Sequence, residues 1–477
     1  MTANDFQSLL PIIVLAGGAI IVMLSVAIWR NHLLTFAGTL LTLATAFIAL
    51  SPASALGSWE IDPLFTIDSF GLFYMGLVFL ATLVVTLISY SYISQQEENK
   101  EEYYILLLLA ALGAAVLVVS SHFISLFMGL ETLTVSLYAL ISYLRKRERS
   151  LEAGVKYLIL AAFSSAFLLF GMALIYAEAG TMSFPGIAQH IQSTGAYSPL
   201  VLTGMGLMIV GVGFKLGVVP FHMWTPDVYE GAPAPVAAFI ATVSKGGMFA
   251  VWTRFYIEID GFQNQTVLVV FIVIAIASMF VGNILALQQK NVKRILAYSS
   301  ISHLGYLLVA FLAGVKLGTE AVTFYFVAYF ITTLGAFGIV TFLSTKERDA
   351  EELSDYRGLF WRKPVLATVF TAMLLSLAGI PLTAGFVGKF YIVAAGVDAS
   401  LWMLLIMLVI NSVVGLFYYL RIVTAMYEQG ESTEKISSSP TLHLAGSAAL
   451  AVLTILLVWF GVYPSQIMEM IRSLILM

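Results

Sequence analysis

Long apolar runs recur along the whole sequence, and they constrain the fold more than any other feature does. A helix needs about 20 apolar residues to cross a bilayer, and about 14 such runs can be counted by this rule. Their approximate limits are residues 9–29, 32–51, 69–93, 103–120, 122–144, 154–178, 198–226, 233–257, 266–288, 292–314, 319–344, 364–396, 400–427 and 441–463. Only 10% of the residues are charged, whereas soluble domains carry about 25%. The sequence therefore predicts an all-α integral membrane protein that faces the lipid bilayer.

The seventh and twelfth runs are too long for a simple crossing. Each extends over roughly 30 residues, and each contains glycines and an internal proline, Pro220 in one and Pro381 in the other. Proline removes a helical hydrogen bond and clashes with the preceding turn, so both helices should be interrupted. Because these helices lie five spans apart, two five-helix units, 103–257 and 266–427, should have inverted orientations, as in transporters with broken helices.

The chain is expected to form a single membrane domain around these two repeats. Three helices precede the repeats in residues 1–102, and a last helix with the C-terminus follows in residues 441–477. Basic residues gather in alternate loops, above all at residues 145–149, and the other side keeps little beyond Arg254, Lys316 and Arg472. Such a bias marks the basic side as cytoplasmic, which places both termini outside.

Composition also excludes several kinds of site. The chain has no cysteine, so it cannot ligate an iron–sulfur cluster or hold zinc through thiolates. Its net charge is −4 and it has no basic patch, which argues against a nucleic-acid partner. Neither a metal site nor a cofactor site is predicted in this chain. Any redox chemistry is expected in another chain or on a bound cofactor.

Four charged residues lie inside the predicted spans, where each charge costs roughly 2.5–3.5 kcal/mol on insertion scales. They are Glu131, Lys215, Lys245 and Lys389. Lys245 lies roughly twelve residues, or ~18 Å, from either end of its span, beyond the reach of a ~6 Å side chain to water. One carboxylate cannot pair with three amines, so two lysines are left over. Structural ion pairs or snorkelling side chains are the alternative explanation for single residues.

The surplus of lysines indicates hydrated cavities or amines that give up their proton, because desolvation disfavours the charged amine. We therefore expect the four residues to form a proton path. His222 and His303 titrate near neutrality when unperturbed and could link the lysines through water, although each could equally be a hydrogen-bonded structural histidine. Ser302, with its neighbours Ser299 and Ser300, could hold water beside His303 or simply satisfy the backbone.

Three segments resemble a known family. They are 215–236 (KLGVVPFHMWTPDVYEGAPAPV, followed by Ser244-Lys245), 296–306 (LAYSSISHLGY) and 376–390 (SLAGIPLTAGFVGKF). In this order they resemble the antiporter-like membrane subunits of the respiratory NADH:quinone oxidoreductase, complex I, and the resemblance covers essentially the whole chain. The length and the end soon after the fourteenth span are similar to the bacterial subunit-N branch. The lysine at 389 is similar as well, since a sister subunit carries glutamate there.

The resemblance implies roles for individual residues. In the family, the glutamate of the fifth helix pairs with the lysine of the broken seventh, and a lysine of the eighth helix links to the twelfth. Carried over, Glu131 would pair with Lys215, and the proton would pass through Lys245 to Lys389. The family also implies a multi-pass subunit of a bacterial cell inner membrane, bound to other membrane and peripheral subunits. FMN, iron–sulfur clusters and quinone are expected in those partner subunits, and the chain contributes to the enzyme as a translocase subunit.

Two other interpretations remain open at this stage. An Mrp-type cation/proton antiporter subunit would share the fold and the buried charges, but the spans show no obvious set of carboxylates for Na⁺, which prefers oxygen ligands. A structural scaffold that binds quinone or lipid would conduct nothing, and it leaves the surplus lysines and the broken helices unexplained.

Overall fold

The structure is a computed structural model that describes residues 2–96, 99–195, 197–429 and 444–475. Helices make up most of this part of the chain. In the N-terminal half they are α1 (Ala3–Ser8), α2 (Leu10–Ile28), α3 (His32–Ile48), α4 (Leu50–Ser54), α5 (Ser69–Ser94), α6 (Glu101–Val118), α7 (Phe123–Ile141), α8 (Glu148–Ala179), α9 (Phe184–Thr194), α10 (Pro199–Leu216), α11 (Trp224–Gly231), α12 (Ala234–Phe239) and α13 (Lys245–Glu258).

The C-terminal half continues with the same architecture. Its helices are α14 (Gln265–Gln288), α15 (Val292–Leu312), α16 (Lys316–Leu343), α17 (Leu359–Arg362), α18 (Pro364–Ala378), α19 (Ala384–Asp398), α20 (Trp402–Tyr427), α21 (Leu444–Val462) and α22 (Ser465–Ile475), with 3-10 turns at Gly261–Gln263 and Leu353–Tyr356. A two-stranded antiparallel hairpin, β1 (Trp59–Ile61) and β2 (Phe65–Ile67), precedes α5.

Thirteen helices of the described chain are long and apolar enough to cross a membrane. The pair α18–α19 is an interrupted helix that adds a further crossing, so the prediction of an all-α membrane fold with about 14 spans is confirmed. The last predicted run begins at residues 441–443, which lie outside the described residues, and its helix is observed from Leu444. The hairpin and the short helices α9 and α22 were not predicted, because each is far shorter than a membrane-crossing run.

Both predicted interruptions are present. The helix α10 ends at Gly217 (φ 70°) and the helix α18 ends at Gly379 (φ 89°). In each break the proline, Pro220 or Pro381, comes after this glycine rather than at the helix end. Glycine adopts a positive φ without the clash of a Cβ atom, and it commonly closes a helix in this way. Glycine therefore ends each helix, and proline keeps the following residues from resuming it.

The core lies along three helical segments that are almost wholly enclosed by protein. In the most apolar stretches of Ala234–Glu258 and Val292–Leu312 every residue is buried, and the corresponding share for Lys316–Leu343 is 94%. The first of these segments contains a π-helical turn at Ile240–Ser244, directly before Lys245. Such turns shift the register of a helix and occur often at functional sites. The positions next to this turn therefore face the protein interior rather than lipid.

A buried ion cluster joins the N-terminal and C-terminal halves of the chain on the side of the basic loops. Asp349 accepts hydrogen bonds from Lys293 Nζ (2.7 Å) and Arg147 Nη1 (2.8 Å). Lys293 Nζ also donates to the carbonyl oxygens of Glu230 (2.8 Å) and Ala232 (2.7 Å), which close the end of α11. Burial opposes ionisation of Asp349, but the two cations outweigh it and hold the pKa of this carboxyl below its usual range. The cluster fixes α11, α15 and the 344–358 loop relative to one another.

Candidate functional site

The three predicted intramembrane amines all lie inside the protein, and each lies at a helix interruption. The exposed fractions of Lys215, Lys245 and Lys389 are 2%, 0% and 8%. Lys215 occupies the last turn of α10, just before Gly217. Lys245 follows the π-helical turn, and Lys389 lies in α19 beside the second break. Gly217 and Gly379 end their helices early, and the carbonyl groups left at the second break face Lys389.

Lys215 is held by hydroxyl groups. Its Nζ donates to Thr134 Oγ1 and to the Tyr157 hydroxyl (3.3 Å), and the Tyr157 ring centroid lies 5.2 Å away. Glu131 is half-buried, and its Oε1 accepts a hydrogen bond from Ser165 Oγ (2.6 Å). Within the described residues no direct ion pair joins Glu131 to a lysine. The pair implied by the family resemblance is therefore open here, with Thr134, one turn along α7 from Glu131, in contact with the amine instead.

Lys245 lies against the break in the first broken helix. Its Nζ donates to Ser300 Oγ on α15, and a Cβ atom placed on Gly217 would lie 3.6 Å from this nitrogen. The buried hydroxyl of Thr225 has no hydrogen-bond partner, and it would lie 2.5 Å from the same Cβ position. Ser300 Oγ is also 3.4 Å from the Tyr229 hydroxyl. An amine and an unpartnered hydroxyl thus converge on the break, and the hydroxyl of Ser300 connects this amine to α15.

His303 carries the polar connection further along α15. Its Nδ1 lies 2.7 Å from the Tyr325 hydroxyl and its Nε2 lies 3.1 Å from the Tyr419 hydroxyl. Tyr419 in turn contacts Ser299 Oγ. The side chain is 3% exposed. The predicted histidine therefore lies in a network of hydroxyls, one helical turn from the serine that binds Lys245.

The other two predicted relay residues make no contact with a lysine. Ser302 Oγ donates to the Ser299 carbonyl of its own helix (2.8 Å), and its hydroxyl also interacts with the hydroxyls of Tyr306 and Tyr418. His222 lies in the first break, and its Nδ1 is buried without a partner. In the described part of the chain it forms no hydrogen bond with a lysine. Ser299 contacts the Tyr419 hydroxyl, and Ser300 contacts the Lys245 amine.

Lys389 closes the end of the second broken helix. Its Nζ donates to the carbonyl oxygens of Ala378 (2.8 Å) and Leu377 (3.1 Å) and to Ser412 Oγ (2.9 Å). The last carbonyl groups of a helix lack partners within the helix, and a cation there is favoured by the helix dipole. A Cβ atom placed on Gly379 would lie 3.1 Å from this nitrogen. The amine therefore acts as the cap of α18 as well as the last titratable group of the predicted path.

Five titratable side chains of the predicted path are here called the row. In chain order the row contains Glu131, Lys215, Lys245, His303 and Lys389, and each of them is hydrogen-bonded to at least one hydroxyl group. Because hydroxyls both donate and accept, they can pass a proton when water completes the gaps. Sequence reasoning missed the supporting hydroxyls of Thr134, Tyr157, Tyr419 and Ser412, since nothing distinguishes them from other Thr, Tyr and Ser residues of the spans.

A polar cleft opens on the basic side at the end of α11. It measures about 260 Å³ and is lined by Arg149, Glu152, Ala153, Lys156, Asp227, Glu230, Gly231 and Arg294. Lys156, about two turns from the start of α8, forms ion pairs with Glu152 (2.6 Å) and Asp227 (2.9 Å). The cleft brings water-accessible carboxylates to the half of the broken helix that follows the first break.

Comparisons with known proteins show the family to which the chain belongs. Residues 120–415 match the family described as "NADH:quinone oxidoreductase/Mrp antiporter, TM". NADH-quinone oxidoreductase subunit N of Nitrosospira multiformis is 51% identical over 98% of this chain and 96% of its own length. The subunit N of Ectopseudomonas mendocina is 47% identical over 99% of this chain and 97% of its own length.

Solved structures show the same fold. A chain of respiratory complex I from Thermus thermophilus superposes with a TM-score of 0.82 at 31% identity, covering 96% of this chain and 98% of that one. A chain of the Mrp complex from Dietzia matches with a TM-score of 0.85 at 22% identity over 100% and 97% of the two chains, which shows the fold alone. The chain belongs to the NADH:quinone oxidoreductase/Mrp antiporter family of membrane subunits, and within it to the NADH-quinone oxidoreductase subunit N group.

Proposed function

We propose that this chain is a proton-translocating subunit of a respiratory NADH:quinone oxidoreductase in a bacterial cell inner membrane. The other membrane and peripheral subunits are its partners, and they hold the FMN, the iron–sulfur clusters and the quinone site. The basic loops face the cytoplasm, and both termini lie on the opposite side. The observation that supports this function is the row of buried titratable groups between the two helix breaks.

Proton movement follows from changes in the charge next to each amine. Glu131 is three residues from Thr134, about 4.5 Å along the helix, so a small rearrangement brings its carboxylate to Lys215. A carboxylate beside Lys215 stabilises the protonated amine, and its withdrawal favours release of the proton toward Lys245. From Lys245 the proton reaches the His303 network through Ser300 and then Lys389. Quinone reduction elsewhere in the complex supplies the free energy for the cycle.

The alternative is an Mrp-type cation/proton antiporter subunit, which shares the fold. The geometry favours the proton path, because the row contains three amines and a histidine but only one carboxylate. A sodium ion prefers several oxygen ligands and is repelled by neighbouring ammonium groups. The subunit N relatives, at about half identity over nearly the full chain, favour the oxidoreductase as well.

The test uses the tagged chain purified from its native membrane as an assembly. NADH-driven quinone reduction and proton uptake are measured together in reconstituted vesicles. Lys245→Ala should assemble normally and lose the proton transport of this subunit. Lys245→Arg should fail as well, because arginine keeps the positive charge but does not release its proton at physiological pH.

The matched control is Lys290→Ala, an exposed lysine at the end of α14. It should pump at the wild-type rate. Unimpaired pumping by Lys245→Ala refutes the proton path. A chain that purifies without redox subunits and exchanges Na⁺ for H⁺ supports the antiporter instead.

A further inference from the structure

A buried carboxylate lies on α16 outside the row described above. Glu320 is one turn from the start of that helix, on the side of the chain where the termini lie, and it is 5% exposed. Its partner is Arg472, whose Nε lies 3.1 Å from Oε2 and whose side chain is 53% exposed. An ionisable group inside a membrane protein is costly to keep, so it points to a function beyond packing. Arg472 belongs to the short helix α22, the last described element of the chain.

The helix α22 covers the second break. Its buried residues Met468 and Ile471 pack against Ala384, the first residue of α19, and against Phe324 and Ala328 of α16. The preceding segment approaches the break too, because a Cβ atom on Gly461 would lie 2.5 Å from the Leu382 carbonyl oxygen. The C-terminal segment therefore forms a cover over the break that Lys389 faces, and the ion pair of Arg472 with Glu320 fastens this cover.

Aromatic side chains connect Glu320 to the titratable row. Tyr391, two residues after Lys389, contacts the Phe324 ring (5.2 Å between centroids) and lies within electrostatic range of both Glu320 and Arg472. Tyr325, which contacts His303, lies on the same helix as Glu320. It is five residues further along the helix, so it lies about 7.5 Å deeper in the membrane than Glu320. Glu320 thus lies between the end of the row and the terminal side of the chain.

We propose that Glu320 is the proton-release site of the second repeat and that Arg472 gates it. This inference rests on the proposed function. A proton leaves the ammonium group of Lys389, passes through water beside Tyr391 and binds a carboxylate oxygen of Glu320. Neutral Glu320 no longer attracts Arg472, so α22 loosens and water reaches the protonated carboxyl group. Loss of the proton to this water restores the carboxylate, the ion pair and the closed cover.

Two substitutions separate proton transfer from mere attachment of α22. Glu320→Gln and Arg472→Gln both remove the ion pair, but only the first removes the titratable carboxyl group. Glu320→Gln should therefore lower NADH-driven proton uptake to the level of Lys245→Ala, whereas Arg472→Gln should keep most of it. Glu320→Asp, which retains a carboxyl group, should restore uptake at least in part.

Movement of the cover is measured independently. The chain has no cysteine, so Met468→Cys gives this chain a single reporter thiol, which is buried when the cover is closed, and its labelling is read after this chain is separated from its partner subunits on a gel. Its reaction with a maleimide in the purified assembly should become several-fold faster in both the Glu320→Gln and the Arg472→Gln backgrounds. Unchanged labelling in both backgrounds refutes the gate.

The pumping results decide the release site. Equal pumping by Glu320→Gln and Arg472→Gln, at any level, shows that the pair only attaches α22, and this refutes the proposal. If Glu320→Gln pumps at the wild-type rate while Lys245→Ala is impaired, Glu320 is not the release site, but the proposed proton path stands. If Lys245→Ala pumps at the wild-type rate, the proton path itself is refuted.

Discussion

Replacing Gly379 with alanine tests whether the position of the Lys389 amine controls pumping. The residue has a φ of 89°, and an added Cβ atom would lie 2.8 Å from Lys389 Cδ and 3.1 Å from Nζ. The methyl group cannot share this space with the amine. Because the end of a lysine side chain moves more easily than backbone, we expect the amine to leave the carbonyl groups of Leu377 and Ala378.

The expected cost has two parts. Alanine at positive φ costs roughly 1–2 kcal/mol, and the loss of even one of the two carbonyl hydrogen bonds of the charged amine costs about 1.5–3 kcal/mol. Only the hydrogen-bond cost acts on Lys389. At about 1.4 kcal/mol for each factor of ten, this cost lowers the fraction of molecules with the amine in its present position by about 10- to 100-fold. Proton uptake per quinone reduced should therefore fall about 10-fold or more toward the level of Lys245→Ala.

The control is Gly180→Ala. Gly180 ends α8 with a φ of 68°, and a Cβ atom there meets no other atom within 4 Å. It carries the same backbone cost without displacing an amine, so it should pump normally. Both variants are reconstituted in vesicles and assayed for NADH-driven proton uptake and quinone reduction. Equal pumping by the two variants refutes the view that the Lys389 position matters.

Three further predictions follow from the polar contacts. Ser300→Ala should impair proton uptake in the vesicle assay because it removes the partner of Lys245. Asp349→Asn should lower the free energy of unfolding by about 3–5 kcal/mol at neutral pH. Folding lowers the pKa of Asp349, so the stabilisation by its carboxylate is present above the ordinary carboxyl pKa and is lost as pH falls through the lowered value. The difference in stability from wild type should therefore disappear in acid. Tyr256→Phe should be neutral or stabilising in a thermal assay, since its buried hydroxyl has no partner, while Tyr356→Phe should cost about 1 kcal/mol through loss of the bond to Ala350.

The sequence predicted the membrane helices and their interruptions well, because both depend on local properties. A run of about 20 apolar residues is sufficient to predict a crossing, and glycines with a proline in an overlong run predict a break. The prediction named Pro220 and Pro381, whereas Gly217 and Gly379 end the helices. Proline prevents continuation, but the φ that closes the last turn is available to glycine at low cost.

The contacts of the site could not be predicted, because they depend on how distant helices pack. Ser300 and Ser302 are two residues apart, so they point to nearly opposite sides of α15, and only the neighbouring helices decide which one meets Lys245. The sequence could not indicate that Lys389 would bind carbonyl groups eleven and twelve residues earlier. Glu320 was overlooked because it lies near the start of its span, where a carboxylate commonly reaches water.

The contact of Lys389 with the end of α18 has a mechanical consequence. The Lys389 nitrogen binds the proton and also binds the carbonyl groups at the end of α18, so the protonation of the amine and the geometry of the break are coupled. A force that bends α18 away from α19 alters how strongly the amine keeps its proton, and by reciprocity a change in protonation exerts a force on the two half-helices. On the proposed proton path, such a joint would convert motion in a neighbouring subunit into charge movement without any contact between that subunit and the proton.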